Sequence, residues 1–209
     1  MLSLIRPKIR AIIRMRSHYP AAELIHQFKT HVWGLMEYHN GAIFHASSHL
    51  VDRLDAAQSH FLNEVGVSEE EAFLSHNFAP PRLRRNIGAL GLLHKRVLGQ
   101  CHPMFQRLFP FHVDVCVDPA QARHDKALYN HFKEVIFQQG LHARSIFGMV
   151  YVYNHLPQHV VDCKTISCFQ RFLTKAVRRA CQEHDPGWRD LFSCRVNLVH
   201  TVNIDFDSG

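Results

Sequence analysis

The chain has 209 residues, of which 46% are hydrophobic and 20% charged, so it can bury a core as one domain or two small ones and is not expected to be disordered. Its 24 lysines and arginines exceed 18 acidic residues, giving a net charge of +6 that is placed in blocks along the chain. No apolar run approaches the length of a membrane span, and basic residues interrupt the apolar residues of the N-terminus. Neither a membrane partner nor a secretory signal is therefore expected.

The first 22 residues predict a basic amphipathic helix. Isoleucines at helical spacing make one stripe, while Arg6, Arg10 and Arg14 recur every fourth residue on the opposite side. The segment contains no acidic residue. Such a start is typical of a first structural helix and also resembles a mitochondrial presequence, and the sequence leaves both interpretations open.

Three helices are predicted between this segment and residue 77. Pro20 opens the first, whose apolar residues keep helical spacing up to about Tyr38. The second carries its apolar stripe from Leu50 to Val65 and is ended by Gly66. Ser68 with an acidic residue three positions later is a capping-box signature, which predicts a short acidic helix.

The most concentrated basic segment is FAPPRLRRNIGALGLLHKRVLG, residues 78–99. Its two prolines suit a first helical turn, and Gly99 suits a left-handed C-cap. An apolar stripe lies opposite the basic residues, and no acidic residue occurs between Glu71 and Asp114. We expect this basic face to meet solvent or a polyanion, and an ordinary solvated face fits the same pattern. The face consists of Arg82, Arg84, Arg85, Lys95 and Arg96.

The second half of the chain predicts fewer regular elements. Alternating residues predict a strand over 111–117, a helix is expected over 126–137, and another short strand is expected from Asn197. Ser167 and Gln170 suggest a capping box opening a further helix. Its outer face carries Arg171, Lys175 and Arg178. The expected fold is mainly α, a helical bundle with one or two short strands near 111–117 and the C-terminus, divided into residues 1–110 and 111–209.

The search for chemistry is mostly negative. Six cysteines form no CxxC pair, and without an export signal we expect reduced thiols and an intracellular location, nuclear or cytoplasmic. Cys163 and Cys168, five apart, do not by themselves predict zinc, and His94 is interpreted as a satisfied core residue. The glycine-rich phosphate-binding, dinucleotide-binding and nucleophile-elbow patterns are missing. No catalytic residue, cofactor or metal site is expected.

Three blocks in order carry a family resemblance: residues 19–47, residues 54–66 followed by residues 78–99, and residues 145–173. The first contains KTHVWGLMEY, the second APPRLRRNIGALG, and the third YNHLP followed by FQRFL. This order resembles the region that follows the catalytic palm in reverse transcriptases of non-LTR, LINE-type retrotransposons. Together the blocks span most of the chain.

The resemblance implies a thumb-like helical bundle over 1–110 and a C-terminal helical extension over 111–209. In the family these parts track the primer-template, so the implied partner is the backbone of an RNA–DNA hybrid or duplex DNA. Catalysis is not implied, because the family's palm carries an Asp-Asp turn and this chain has no Asp-Asp pair. The chain would be a fragment or relic lacking its palm domain. The expected nucleic-acid-binding residues are Arg84, Arg85, Lys95 and Arg96 with Arg82, then Arg6, Arg10 and Arg14, then Arg171, Lys175 and Arg178.

Two alternatives remain at this point. A non-enzymatic helical protein-interaction domain would require aromatic anchors such as Trp33, Phe105 or Trp188 to be exposed and clustered. Translated retroelement debris without present function is the other.

Overall fold

A computed structural model describes residues 2–38, 43, 45–112, 124–129 and 144–194, which are mostly helical and confirm a mainly α fold. The chain divides into two compact units, residues 1–85 and 86–209. This division falls inside a helix, whereas the sequence placed the boundary after residue 110. Within the described ranges, no helix is long and apolar enough to cross a membrane.

The first unit is a small bundle in which α1 packs against α2, the π-helical turn and α4. Gly66 adopts the left-handed conformation (φ 72°) that ends α4, as the sequence predicted. The single helix predicted from Pro20 to about Tyr38 is interrupted by a π-helical turn at Lys29–Trp33. Ser68 accepts the Glu71 backbone N–H at 3.1 Å, which confirms the predicted cap. The elements are α1 (Leu2–Arg14), α2 (Ala21–Phe28), a π-helical turn (Lys29–Trp33), α3 (Gly34–Glu37), α4 (Ser48–Val65), α5 (Glu69–His76) and the start of α6 (Pro81–Val97).

Aromatic rings form the centre of this unit. Phe28 lies 4.6 Å from Phe61 and 5.2 Å from Phe78, measured between ring centroids. Trp33 stacks on Phe78 at 5.0 Å with an interplanar angle of 11°. Since these rings come from α2, the π-helical turn, α4 and the segment before α6, they join the whole unit.

The second unit begins with the rest of α6, which ends at Gly99 in the left-handed region (φ 71°), as predicted. It continues with α7 (Pro103–Leu108), α8 (Ile146–Asn154), α9 (Gln158–Val161), α10 (Ile166–Gln182) and a 3₁₀ helix (Trp188–Asp190). The predicted cap of α10 at Ser167 is wrong. Thr165 caps this helix instead, because its Oγ1 accepts the Cys168 N–H at 3.2 Å.

The predicted helix over 126–137 is wrong at its start. Residues 126–129 form a turn and an isolated antiparallel bridge between Leu128 and Phe111. Residues 130–137 lie outside the described part of the chain, and so do residues 113–117 of the predicted strand and the expected C-terminal strand. The backbone of Leu128 is bonded to the side chain of Asn154 and not to a helical turn. Its N–H donates to Asn154 Oδ1 at 2.9 Å, and its carbonyl oxygen accepts from Asn154 Nδ2 at 2.8 Å.

His94 is fully buried in the core of the second unit, which confirms its interpretation as a satisfied core residue. Its Nε2 lies 2.8 Å from the carbonyl oxygen of Cys163, so this nitrogen carries the proton and donates. Its Nδ1 then accepts from the hydroxyl of Tyr153 at 3.0 Å. The imidazole also stacks on Phe169 with ring centroids 4.2 Å apart. Burial lowers the pKa of His94 and raises the pKa of Tyr153, so both groups stay neutral.

Two leucines of α4 allow a matched test of the first core. Leu62 is 1% exposed, while Leu50, which the sequence placed on the apolar stripe, is 52% exposed. We expect Leu62→Ala to lower the free energy of unfolding by about 2–5 kcal/mol, since it leaves a cavity, and Leu50→Ala to change it by less than about 0.5 kcal/mol. Urea unfolding of both variants measures the difference. Equal losses would contradict this placement of α4.

The buried imidazoles predict a pH dependence of stability. Burial lowers the folded-state pKa of both His94 and His124 below the value of the unfolded chain. Protonation therefore favours unfolding. Stability that is present above the unfolded pKa is lost as pH falls from that value through the lowered folded-state pKa. We expect the free energy of unfolding to decrease between about pH 7.5 and 5.5, and to decrease less in His94→Gln. An unchanged pH dependence in that variant would show that His94 does not contribute.

Candidate nucleic-acid interface

The arginines at the start of α6 lie against acidic residues of the first unit. Arg85 donates from Nη2 to Oδ2 of Asp55 at 2.7 Å, and only 8% and 16% of the two side chains are exposed. Arg82 lies 3.5 Å from Asp52 and 3.8 Å from Asp55. The basic segment is therefore compensated by carboxylates of α4, about 30 positions earlier in the chain. The expectation that its whole basic face meets solvent or a polyanion is wrong.

Arg84 is likewise held inside the first unit. Its guanidinium pairs with Glu37 and lies 3.6 Å from the ring centroid of Trp33, an arrangement that combines an ion pair with a cation–π contact. Lys29 lies 5.5 Å from the same ring and donates to the backbone carbonyl of His76. Burial and, secondly, the charge of Arg84 lower the pKa of Lys29. These cations stabilise the fold around Trp33.

The end of α6 belongs to the second unit, and its two basic residues, Lys95 and Arg96, differ in exposure. Arg96 is 9% exposed, donates from Nε to the carbonyl oxygen of Phe109 at 2.8 Å, and lies 4.4 Å from the ring of Phe111. Its predicted exposure on the basic face is wrong. Lys95 is partly exposed.

The arginines of α1 are exposed, in agreement with the predicted amphipathic helix. The isoleucine stripe is buried, while Arg6, Arg10 and Arg14 face away from it. Their spacing of four residues puts successive side chains on one face, about 6 Å apart along the helix axis. Among the described residues, none of the three is in an ion pair.

A groove of about 270 Å³ lies between α1 and α4 of the first unit. Arg6 and Arg10 line it from α1, and Arg53 and His60 line it from α4, while Ile9, Ala56 and Ala57 complete its wall. None of these lining residues is acidic. Arg53 also makes no ion pair with any described residue. The groove, which we call the α1–α4 groove, is thus a concavity lined by basic and apolar side chains.

Sequence reasoning missed Arg53 and His60. The available signal was their spacing with Ala56 and Ala57, which puts all four on one face of α4. Asp52 and Asp55 hid this signal, because together with Glu64 they make the helix net acidic in sequence. In the structure those two carboxylates face the arginines of α6 instead.

The remaining predicted residues lie on α10 in the second unit. Arg171 and Lys175 are exposed, and Arg178 is partly buried. Arg171 Nη2 lies 4.0 Å from Sγ of Cys168. These side chains share the outward face of the helix, as its spacing predicted.

The α1–α4 groove has the chemistry of an anion site. Guanidinium groups present several donors in a fixed planar geometry that matches phosphate oxygens. No group of three or more His, Cys, Asp or Glu side chains that could hold a metal ion occurs in the described part of the chain.

Loss of charge is predicted to destabilise the protein at Arg85 and to leave its stability nearly unchanged at Arg10. We expect Arg85→Met to lower the free energy of unfolding by about 3 kcal/mol, because Asp55 is left without its buried partner. Arg10→Met removes an exposed guanidinium and should change stability by less than about 0.5 kcal/mol. Urea unfolding of the two variants checks the distinction, and comparable losses would contradict the assignment of Arg85 to the fold.

Comparison with known proteins identifies no relative of this chain. Neither protein-family models, nor curated proteins, nor solved structures give a match to this chain. The groove's own side chains are therefore the basis on which its function is inferred.

Proposed function

We propose that this chain is a non-catalytic, nucleic-acid-binding helical protein whose α1–α4 groove holds the sugar-phosphate backbone of an RNA–DNA hybrid or duplex DNA. The observation that carries the proposal is the groove itself, where Arg6, Arg10 and Arg53 converge without an acidic neighbour among the lining residues. Backbone contacts of this kind give affinity without reading sequence.

The internal ion pairs support the choice of this surface over α6. Arginines already paired with carboxylates, such as Arg85 with Asp55, would have to break those pairs before binding phosphate. Arg6, Arg10 and Arg53 have no such competitor among the described residues. Binding at the groove therefore costs no stabilising contact of the fold.

The proposal agrees with what the sequence resemblance implies. A thumb-like region of a LINE-type reverse transcriptase needs a helical core and a cationic surface that follows the primer-template. We propose that role for the first unit, as a portion of such an enzyme. Arg14 would extend the cationic surface along α1, and Lys95, Arg171, Lys175 and Arg178 would supply weaker contacts from the second unit.

The alternative of a protein-interaction domain loses support from its expected aromatic anchors. Trp188 is 2% exposed, and Trp33 is packed between Phe78 and Arg84. Phe105 is partly buried against Phe109, with ring centroids 4.8 Å apart. None of the three is a freely exposed anchor.

Fluorescence anisotropy with labelled RNA–DNA hybrid and duplex DNA tests the proposal across a salt series. If three or four cations neutralise phosphates, the logarithm of the affinity should fall with the logarithm of salt concentration at a slope of roughly −3. We expect Arg6→Glu/Arg10→Glu/Arg53→Glu to weaken binding on the order of 100-fold at low salt and to flatten the slope. The ratio of hybrid to duplex affinity shows whether a primer-template shape is preferred.

A matched control makes the same change of net charge at three exposed cations that the proposal does not use, as Lys8→Glu/Arg107→Glu/Lys164→Glu. Circular dichroism confirms that both triple variants stay helical. If the control variant lost binding as strongly as the groove variant, net charge alone would account for binding and the groove assignment would be wrong. If the folded wild-type protein showed no salt-dependent binding, the nucleic-acid proposal itself would be overturned in favour of the interaction-domain alternative.

A further inference from the structure

Two cysteine sulfurs lie close together in the second unit. Sγ of Cys163 donates to Sγ of Cys168 across 3.4 Å, and both thiols are free. A disulfide requires the sulfurs to approach to about 2.05 Å. The remaining distance is within reach of a side-chain rotation.

The backbone holds the two cysteines differently. Cys163 is buried, and its carbonyl oxygen accepts the hydrogen bond from the buried His94. Cys168 is partly exposed in the first turn of α10, where its N–H is bound by the Thr165 cap. Cys163 is thus the buried member of the pair. Cys168 is the member whose sulfur a dissolved molecule can reach.

The electrostatic surroundings also differ between the sulfurs. Arg171 places a guanidinium 4.0 Å from Sγ of Cys168. Burial, followed by the neighbouring Cys168, raises the pKa of Cys163 to about 11. A raised pKa makes Cys163 a poor first nucleophile, because the thiolate is the reacting form.

We propose that Cys163 and Cys168 are a modification site that closes to a reversible intramolecular disulfide by exchange with a small-molecule disulfide. The Cys168 thiolate attacks one sulfur of that disulfide, breaks its S–S bond and releases one small thiolate. Cys163 then loses its proton to solvent, attacks Sγ of Cys168 and releases the second small thiolate. The protein loses two protons and two electrons, and the small disulfide is reduced to two thiols.

Peptide mapping after exposure of the full chain to oxidised glutathione tests this site. Trypsin cleaves after Lys164, between the two cysteines, so the disulfide links two peptides, residues 145–164 and 165–171. We expect this linked pair to form at least about tenfold faster than any link through the partly exposed Cys101, because the two sulfurs are already adjacent. Reduction should separate the two peptides.

Two variants assign the order of attack. Cys163→Ser should stop at a glutathione adduct on the peptide 165–171, since the second thiol is missing. Cys168→Ser should leave Cys163, in the peptide 145–164, without a glutathione adduct, because the buried thiol does not react first. The matched control, Cys101→Ser, should leave the linked pair unchanged. Near-UV circular dichroism shows whether each variant keeps its packed core.

The proposal would be overturned by a wild-type protein that keeps glutathione on Cys168, or by one whose Cys168 links to another cysteine. A linked pair that also formed as fast in chemically unfolded protein would likewise overturn it, because folding would then add nothing to the proximity of the sulfurs. These results do not depend on whether the chain binds nucleic acid.

Discussion

The buried ion pair between Arg85 and Asp55 is the constraint on which the arrangement of the first unit depends. A guanidinium cannot be taken out of water without a partner, so the start of α6 must lie where α4 supplies a carboxylate. Arg84 and Glu37 make a second connection of the same kind. Much of the charge at the start of the most basic segment of the chain is consequently used inside the fold. Surface available to a polyanion is left on α1 instead.

α4 has two polar faces with opposite roles. Asp52 and Asp55 face the arginines of α6, while Arg53 and His60 face the α1–α4 groove. The alanines beside them keep the groove open, since a larger side chain there would fill it. α4 therefore neutralises the arginines of α6 and adds positive charge to the groove that it forms with α1. A helix that is net acidic in sequence can still contribute cations to a basic surface.

Periodicity predicted the helices of the first unit well, because burial of one face dictates residue spacing. It could not predict the π-helical turn at Lys29–Trp33, since that turn depends on how Trp33 packs against Phe78. The cap of α10 was misplaced by two residues because Thr165 and Ser167 have the same capping chemistry. The candidate interface was predicted in part. Exposure of Arg6 and Arg10 follows from one helix, whereas burial of Arg85 depends on a carboxylate 30 positions away.

The buried arginine of α6 and the exposed arginines of α1 should tolerate different substitutions over evolutionary time. Arg85 meets Asp55 with a planar donor in a nearly dry site, where the shape of the guanidinium matters as much as its charge. Lysine at that position would keep the charge and lose the geometry. Arg6 and Arg10 are exposed and make no ion pair with a described residue, so lysine at either position would cost the fold no buried contact. Sequence drift should accordingly be visible on α1 and restricted at the start of α6.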